Sequence, residues 1–579
     1  MRYASVLILC LLCASVHGAV APPIAQAGST INVTVNITAN VHPFSPLIFG
    51  VAFGDATRNA QMGYTVDRWG GNSTTRYNWQ VDTDNKASDY LFLNEPEGSG
   101  AGLPNNSTAD QFASGAIAAG AQPLIAVPTI GVTPKDRAKR PGFSIAKYGP
   151  QHNNECTINP FDGCDADAGD GTCDAATNHT GFCHNGLIAG NNSTDTSIAA
   201  PSTFEAQWIA HFQSVFGTAA NGGVKLYSLD NEVMLWNSTH RDVHPSPATY
   251  DEIWSKTADY AGAIKQQDPN ALVTGPVTWG YCDLFGSAAD DCLDGSDRQA
   301  HGGTPFVAWY LQQVCANPRA GGAHLVDYLD LHYYPQDPDG ASGGIYSNDD
   351  DAQTIGRRLR SLKELYDPAW VSESWIGTLD GVPTGDDPLH YPKPDLIPRV
   401  RAWIDQYCPG TKLAITEYAW DQDGTNDGAV AQAEVLAIFA REGVDLATRW
   451  VAPAANSKAE RGFRIFLNYD GAGARVEGDS VAATSGSVDQ VGAYAFHGNG
   501  NTMVLLTNKD TVSHGVALAF NSPRNATWTL YGFDPANTQH VIDTGNVTTN
   551  TLTLNPLPAM SASLLVVPDR DEIFRNGFN

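Results

Sequence analysis

The sequence predicts a (β/α)8 TIM barrel with an additional antiparallel β-sandwich domain, the sandwich formed from the C-terminal region plus an N-terminal strand. Three observations lead there. Between Leu47 and Val451, eight short apolar runs alternate with longer amphipathic or looped stretches, the rhythm of a βα chain. Beyond residue 455 the runs alternate apolar with polar residues and are parted by Gly, Asn, Asp and Pro, as antiparallel strands are. Near the start, TINVTVNITANV alternates in the same way, so its strand is expected to cross over and complete the C-terminal sheet.

The eight barrel candidates are LIFGVAF from Leu47, TVDRWGG from Thr65, PLIAVPTIG from Pro123, VKLYSLDNE from Val224, ALVTGPV from Ala271, VDYLDLHYYP from Val326, KLAITEY from Lys412 and VDLATRWV from Val444. Between them, STFEAQWIAHFQSVFG, PATYDEIWSKTADYAGAIKQQ and LIPRVRAWIDQY place apolar residues every three or four positions, which is the helical period. The C-terminal strands are expected at FRIFLNY, GAYAFHG, NTMVLLTN, GVALAF, ATWTLYGF, LTLNP and ASLLVV. The expected organisation is a signal peptide over 1–18, the N-terminal sandwich strand in 19–46, the barrel over 47–454, the sandwich over 455–567 and a polar tail over 568–579.

Arg2 followed by an apolar run to Ser15 and small residues to Gly18 reads as a secretory signal, too short to span a bilayer. Its removal takes Cys10 and Cys13 and leaves eight cysteines, an even number suited to disulfides in an oxidising compartment. The close pairs Cys156 with Cys164, Cys173 with Cys183 and Cys282 with Cys292 would leave Cys315 to join Cys408. With 34 Lys and Arg against 62 Asp and Glu, the net charge is −28. That balance excludes a nucleic-acid binder or a polybasic membrane-surface protein. A secreted, extracellular monomer acting on a neutral partner fits.

Reactive groups of a barrel enzyme sit at the C-terminal ends of its strands. Here those ends carry Arg68, Trp69, Asn72, Asn231, Glu232, His332, Tyr334, Glu417 and Trp450. Glu232 closes SLDNE on the fourth strand and Glu417 closes AITE on the seventh, so both face one mouth. Two carboxylates flanking one bond are what glycoside hydrolysis requires, one protonating the leaving oxygen while the other attacks. A separation of roughly 5 to 5.5 Å would mark a retaining enzyme. An ordinary strand-end glutamate paired with an arginine is the plainer alternative for either residue alone. In this setting Arg68 is expected to pair with Glu417 and keep it ionised, and Tyr334 to donate to it. Trp236 or Trp279 could wall the proton donor and raise its pKa by desolvation, while Asn231 could bind a sugar 2-hydroxyl.

Several segments also carry a family resemblance. DRWGGNSTTRYNW from Asp67, FSIAKYGPQ from Phe143, YSLDNEVMLWNSTHRDVHP from Tyr227, DLHYYP from Asp330, SESWIG from Ser372 and ITEY from Ile415 resemble glycoside hydrolase family 44, in the same order. The resemblance implies a secreted retaining endo-β-1,4-glucanase, many members acting on xyloglucan, with Glu232 as acid/base and Glu417 as nucleophile. It departs at Val233, where the family has proline. The implied partners are plant cell-wall β-glucan polysaccharides, including soluble cellulose derivatives. No organic cofactor is implied.

Pyranose rings stack on aromatic faces. Trp69, Trp236, Trp375 and Trp450 are the candidate platforms, with Trp450 and Trp69 foremost, and His332 is a binding residue. Asn72 lies in an NST sequon, yet the resemblance puts it at the cleft, so it is expected to be unglycosylated. The insert CTINPFDGCDADAGDGTCD offers Asp165, Asp167 and Asp170 as ligands of a structural Ca2+, although DADAGDG is one residue out of register with an EF-hand loop. An acidic turn held by disulfides is the alternative. For the whole chain the alternatives are a related barrel hydrolase on xylan or mannan, or a non-catalytic carbohydrate-binding protein.

Overall fold

The computed structural model describes residues 28–569 except 162, 292, 320–321, 339–344, 346–350, 379–391 and 421–422. Eight parallel strands close into a barrel: Gly50–Ala52, Val66–Trp69, Gln122–Val127, Leu226–Leu229, Leu272–Thr278, Tyr328–Tyr333, Lys412–Tyr418 and Leu446–Arg449. Each lies within one of the eight expected segments or extends past it by one residue. Longer helices follow them, among them Thr108–Ala118, Ser202–Phe216, Tyr250–Gln267, Phe306–Ala316, Leu396–Tyr407 and Asn426–Arg441.

Strand alternation sorts the barrel interior into layers. Val66, Leu124, Leu226, Tyr328, Ala414 and Leu446 form a buried apolar cluster low in the barrel. Two residues further along the same strands stand Arg68, Ser228, Asp330, Thr416 and Thr448, all buried, because side chains of period two share a face. The interior therefore turns polar toward the C-terminal mouth. A register irregularity between Leu331 and His332 sets His332 beside Glu417 rather than Thr416, and such bulges re-aim side chains at functional sites.

The second unit is a mixed sheet. Ile31–Asn36 pairs antiparallel with Asp479–Ser485 and parallel with His514–Phe520, so the N-terminal strand does cross over. Its burial alternates, with Ile31, Val33 and Val35 entering a core made with Val481, Val504, Leu518, Trp528 and Leu565. The strands Val491–Gly498 and Asn501–Asn508 are buried on both faces. Ala493 and Ala495 face that core, whereas Tyr494, Phe496, Met503 and Leu505 join the core of the barrel.

Two corrections follow. FRIFLNY is not a strand: Lys458–Leu467 is a helix, capped by Ser457, whose side chain accepts from the Glu460 N–H. Its apolar residues Ala459, Phe463, Phe466 and Leu467 fall at helical spacing and are buried. Strands at Asp479–Ser485 and His540–Val547 escaped the sequence reading, being short of large apolar residues.

The disulfides Cys156–Cys164, Cys173–Cys183 and Cys315–Cys408 form as expected, with Cα separations of 5.2, 5.9 and 5.3 Å, inside the usual range. Cys282 is disulfide-bonded, while Cys292 lies outside the described residues. The expected signal segment lies outside them as well. No helix among the described residues is long and apolar enough to cross a membrane.

Candidate active site

The barrel mouth gathers residues from five strands. Glu232 follows the fourth strand in a left-handed conformation, φ 45°, two residues after Asp230 at φ 71°. That corner is held from below by the buried Asp230 carboxylate, which accepts hydrogen bonds from Thr75, Thr129, Ile130, Asn231 and the Trp236 indole. Strained backbone of this kind costs about 1 to 3 kcal/mol per residue and persists only where its surroundings determine it.

Glu417 is buried at the end of the seventh strand. Arg68 Nη1 donates to its Oε1 at 2.6 Å and the Tyr334 hydroxyl to its Oε2 at 2.8 Å. Arg68 Nη2 donates to Asn231 Oδ1 at 2.8 Å, as does the Gly71 N–H at 3.1 Å. Asn231 Nδ2 donates to Asn72 Oδ1 at 3.1 Å, and Asn72 Nδ2 to Asp89 at 2.9 Å.

His332 stands between the glutamates, its Nδ1 at 3.0 Å from Glu232 Oε1 and 3.5 Å from Glu417 Oε2. One oxygen of each glutamate and a ring nitrogen of His332 all lie within 4.8 Å of one another. Burial, then the Arg68 charge, hold His332 well below the ordinary imidazole range, so it is neutral. Thr416 Oγ1 donates to Asp330 Oδ1 at 2.7 Å and lies 3.2 Å from His332 Nε2, which Arg68 Nη2 also approaches at 3.5 Å. Asp330 takes the Thr274 hydroxyl on its other oxygen, and burial raises its pKa only to about 6. Nδ1 is the ring atom that faces Glu232, a neutral imidazole beside a carboxyl that could donate a proton.

Glu232 suits that role. Burial first, then the Glu417 charge, push its carboxyl well above the usual range. Its side chain nevertheless keeps 15% of its surface accessible, against 7% for Glu417. The two carboxylates of the site thus differ in their surroundings, one pushed toward its neutral form by burial and the other bound by an arginine and a phenol.

Comparison with known proteins agrees with this geometry. The model of glycoside hydrolase family 44 matches residues 83–337. The solved structure of CelM2, a bifunctional glucanase-xylanase from a metagenome library, is 35% identical, superposes with a TM-score of 0.83, and is covered over 100% of its length by 94% of this chain. The chain belongs to glycoside hydrolase family 44. Another family 44 structure, the endoglucanase Cel44A of Clostridium thermocellum, is 26% identical with a TM-score of 0.74 over 93% of this chain and 100% of that one. The curated Endoglucanase A of Paenibacillus lautus is 26% identical over 520 residues, 87% of this chain, which spans 66% of that relative.

Within this family 44 barrel, Arg68, Asn72, Asn231, Glu232, His332, Tyr334, Glu417 and Trp450 come together. The half-buried Trp450 ring stands 5.9 Å from the Arg68 guanidinium. Trp375 is half-buried, its indole N–H 3.4 Å from Gln336, two positions past Tyr334. Two expected platforms are corrected. Trp236 is 0% exposed, with its indole N–H on Asp230, so it supports the Glu232 corner and cannot meet a sugar. Trp69 is 7% exposed beneath Phe53, Phe112 and Tyr77.

The three candidate carboxylates of the acidic insert each make local hydrogen bonds. Asp165 caps the Asp167 N–H, Asp167 takes Ser144 and the Ala146 N–H, and Asp170 takes Thr172 and Asn153. These are the turn bonds that short carboxylates make. The sequence reading also missed Asp330 and Thr416. Asp330 was within reach, because it lies two residues before His332 and so shares its inward face.

Proposed function

We propose that this chain is a secreted, retaining endo-β-1,4-glucanase that cuts internal linkages of plant cell-wall β-glucans, xyloglucan among them. The observation that carries the reading is a buried Glu232, its carboxyl pushed up by that burial, and an arginine-bound Glu417, with one oxygen of each within 4.8 Å of the other. That spacing is close to the roughly 5 to 5.5 Å of double-displacement enzymes and short of the 6.5 to 9.5 Å that leaves room for a water. In the first step Glu417 attacks the anomeric carbon as the glycosidic bond breaks, and Glu232 protonates the departing oxygen. In the second, Glu232 takes a proton from water, whose oxygen displaces Glu417 from the sugar. Arg68 and Tyr334 hold the nucleophile, His332 contacts the donor through Nδ1, and Asn231 would meet a sugar hydroxyl.

The disulfides Cys156–Cys164, Cys173–Cys183 and Cys315–Cys408 support an extracellular setting. Xylan is a second reading, favoured by the 35% identity to a bifunctional glucanase-xylanase. Reducing ends released from xyloglucan, carboxymethylcellulose, xylan and mannan decide between them. Glucans should be cleaved fastest. Glu417→Gln should lower turnover by at least about a thousandfold while the variant still binds polymer. Unchanged turnover would remove Glu417 from the role.

A further inference from the structure

Phe53 closes the first barrel strand, at the same end as the glutamates, and it breaks two rules at once. Its ring is 40% exposed, although a phenylalanine next to a barrel core has ample apolar surface to bury against. Its backbone is left-handed, φ 52°, a conformation that is a genuine outlier for a bulky residue. A lone exposed aromatic is ordinary. This one is held in place from several sides. The Phe53 N–H donates to Arg68 O at 3.0 Å, the Gly54 N–H to Asp67 Oδ1 at 2.9 Å, and Asn59 Nδ2 to Asp67 Oδ2 at 2.6 Å. On the other flank the Ala452 N–H donates to Ala52 O at 2.9 Å. A Cβ on Gly54 would lie 2.1 Å from Asn59 Oδ1, so only glycine lets the corner close.

The ring so displayed adjoins the reaction centre. Its centroid lies 5.8 Å from Trp450 and 5.8 Å from the buried Trp69. Trp450 in turn stands over Arg68, which binds Glu417. Phe53 and Trp450 make a contiguous aromatic edge leading away from the nucleophile, with Trp69 and Phe112 as backing.

We propose that Phe53 is a stacking platform for a pyranosyl ring of the bound chain, one to two sugars from the cleaved bond, and that the strained corner exists to present it. The apolar C–H face of a β-linked glucosyl or xylosyl residue is the matching ligand surface. This inference rests on the function proposed above. The sequence reading looked for tryptophans and passed over this position, where the exposed ring is a phenylalanine.

Calorimetric binding of cellohexaose and xyloglucan oligosaccharides in a Glu417→Gln background tests it. Adding Phe53→Ala should weaken binding about tenfold, and Phe53→Tyr should restore it. Phe53→Gly, which relieves the left-handed strain, should weaken binding equally while leaving Tm unchanged or raised. Full affinity in the alanine and glycine variants, or a Tm loss in Phe53→Gly without an affinity change, would reduce Phe53 to a packing residue and overturn the proposal while leaving the glucanase reading intact. Failure of Glu417→Gln itself to bind either oligosaccharide would overturn both.

Discussion

At the scale of single residues, the division of labour between two identical side chains comes from what surrounds each. Glu417 receives a guanidinium and a phenol, whereas Glu232 faces the ring of a neutral imidazole and the field of the other carboxylate. A raised pKa extends the range over which Glu232 stays protonated, and activity should fall as pH rises through it, the alkaline limb of the profile. Since Glu417 is the largest charge contributing to that rise, neutralising it as Glu417→Gln should move the Glu232 titration downward. Carbon NMR of the labelled carboxyl reads this directly, and a titration unmoved by the substitution would show that burial alone sets it. The contacts of Arg68 and Tyr334 with Glu417 were legible from strand-end position and charge. The surroundings of His332 were not, because they include a threonine and an aspartate whose relation appears only when three strands are laid side by side.

At the scale of elements, all eight barrel segments were recoverable because each is a short apolar run between helical stretches, and packing rewards the same residues that propensity favours. The errors share a cause. In FRIFLNY, alternating Phe, Arg, Ile and Phe mimic a strand when read from Phe463, but Ser457 and Glu460 upstream supply the cap that makes Lys458–Leu467 a helix. Phe463 then packs edge-on against Tyr64 at 5.1 Å, on the barrel side. Phe463→Ala should therefore cost about 3 to 5 kcal/mol in chemical denaturation. A loss below about 1 kcal/mol would contradict a buried helical face. The tryptophans went wrong for a related reason, since sequence position at a strand end does not say whether a ring points into the cleft or under its rim.

For the whole molecule, barrel and sandwich are continuous in their packing. The helix Asn426–Arg441 is buried along nearly its entire length between the barrel and the sheet. Its Glu434 is fully buried and accepts from Tyr494 at 2.8 Å, Thr507 at 3.0 Å and Lys509 at 2.8 Å, all three from the sandwich. Removing one partner of a buried ion pair costs about 3 to 5 kcal/mol, whereas replacing both with apolar groups is often near neutral. Glu434→Leu should thus destabilise strongly in thermal melts and Glu434→Leu combined with Lys509→Met should recover most of the loss. A single variant as stable as the parent would show that the seam carries no such load. The proposed function rests on one arrangement, two carboxylates opposed across a single sugar linkage. Incubation with a 2-deoxy-2-fluoro β-glucoside carrying a good leaving group, followed by peptide mass spectrometry, tests it most directly: the account predicts a fluoroglucosyl adduct on Glu417, lost in Glu417→Gln, and an adduct on any other residue would contradict it.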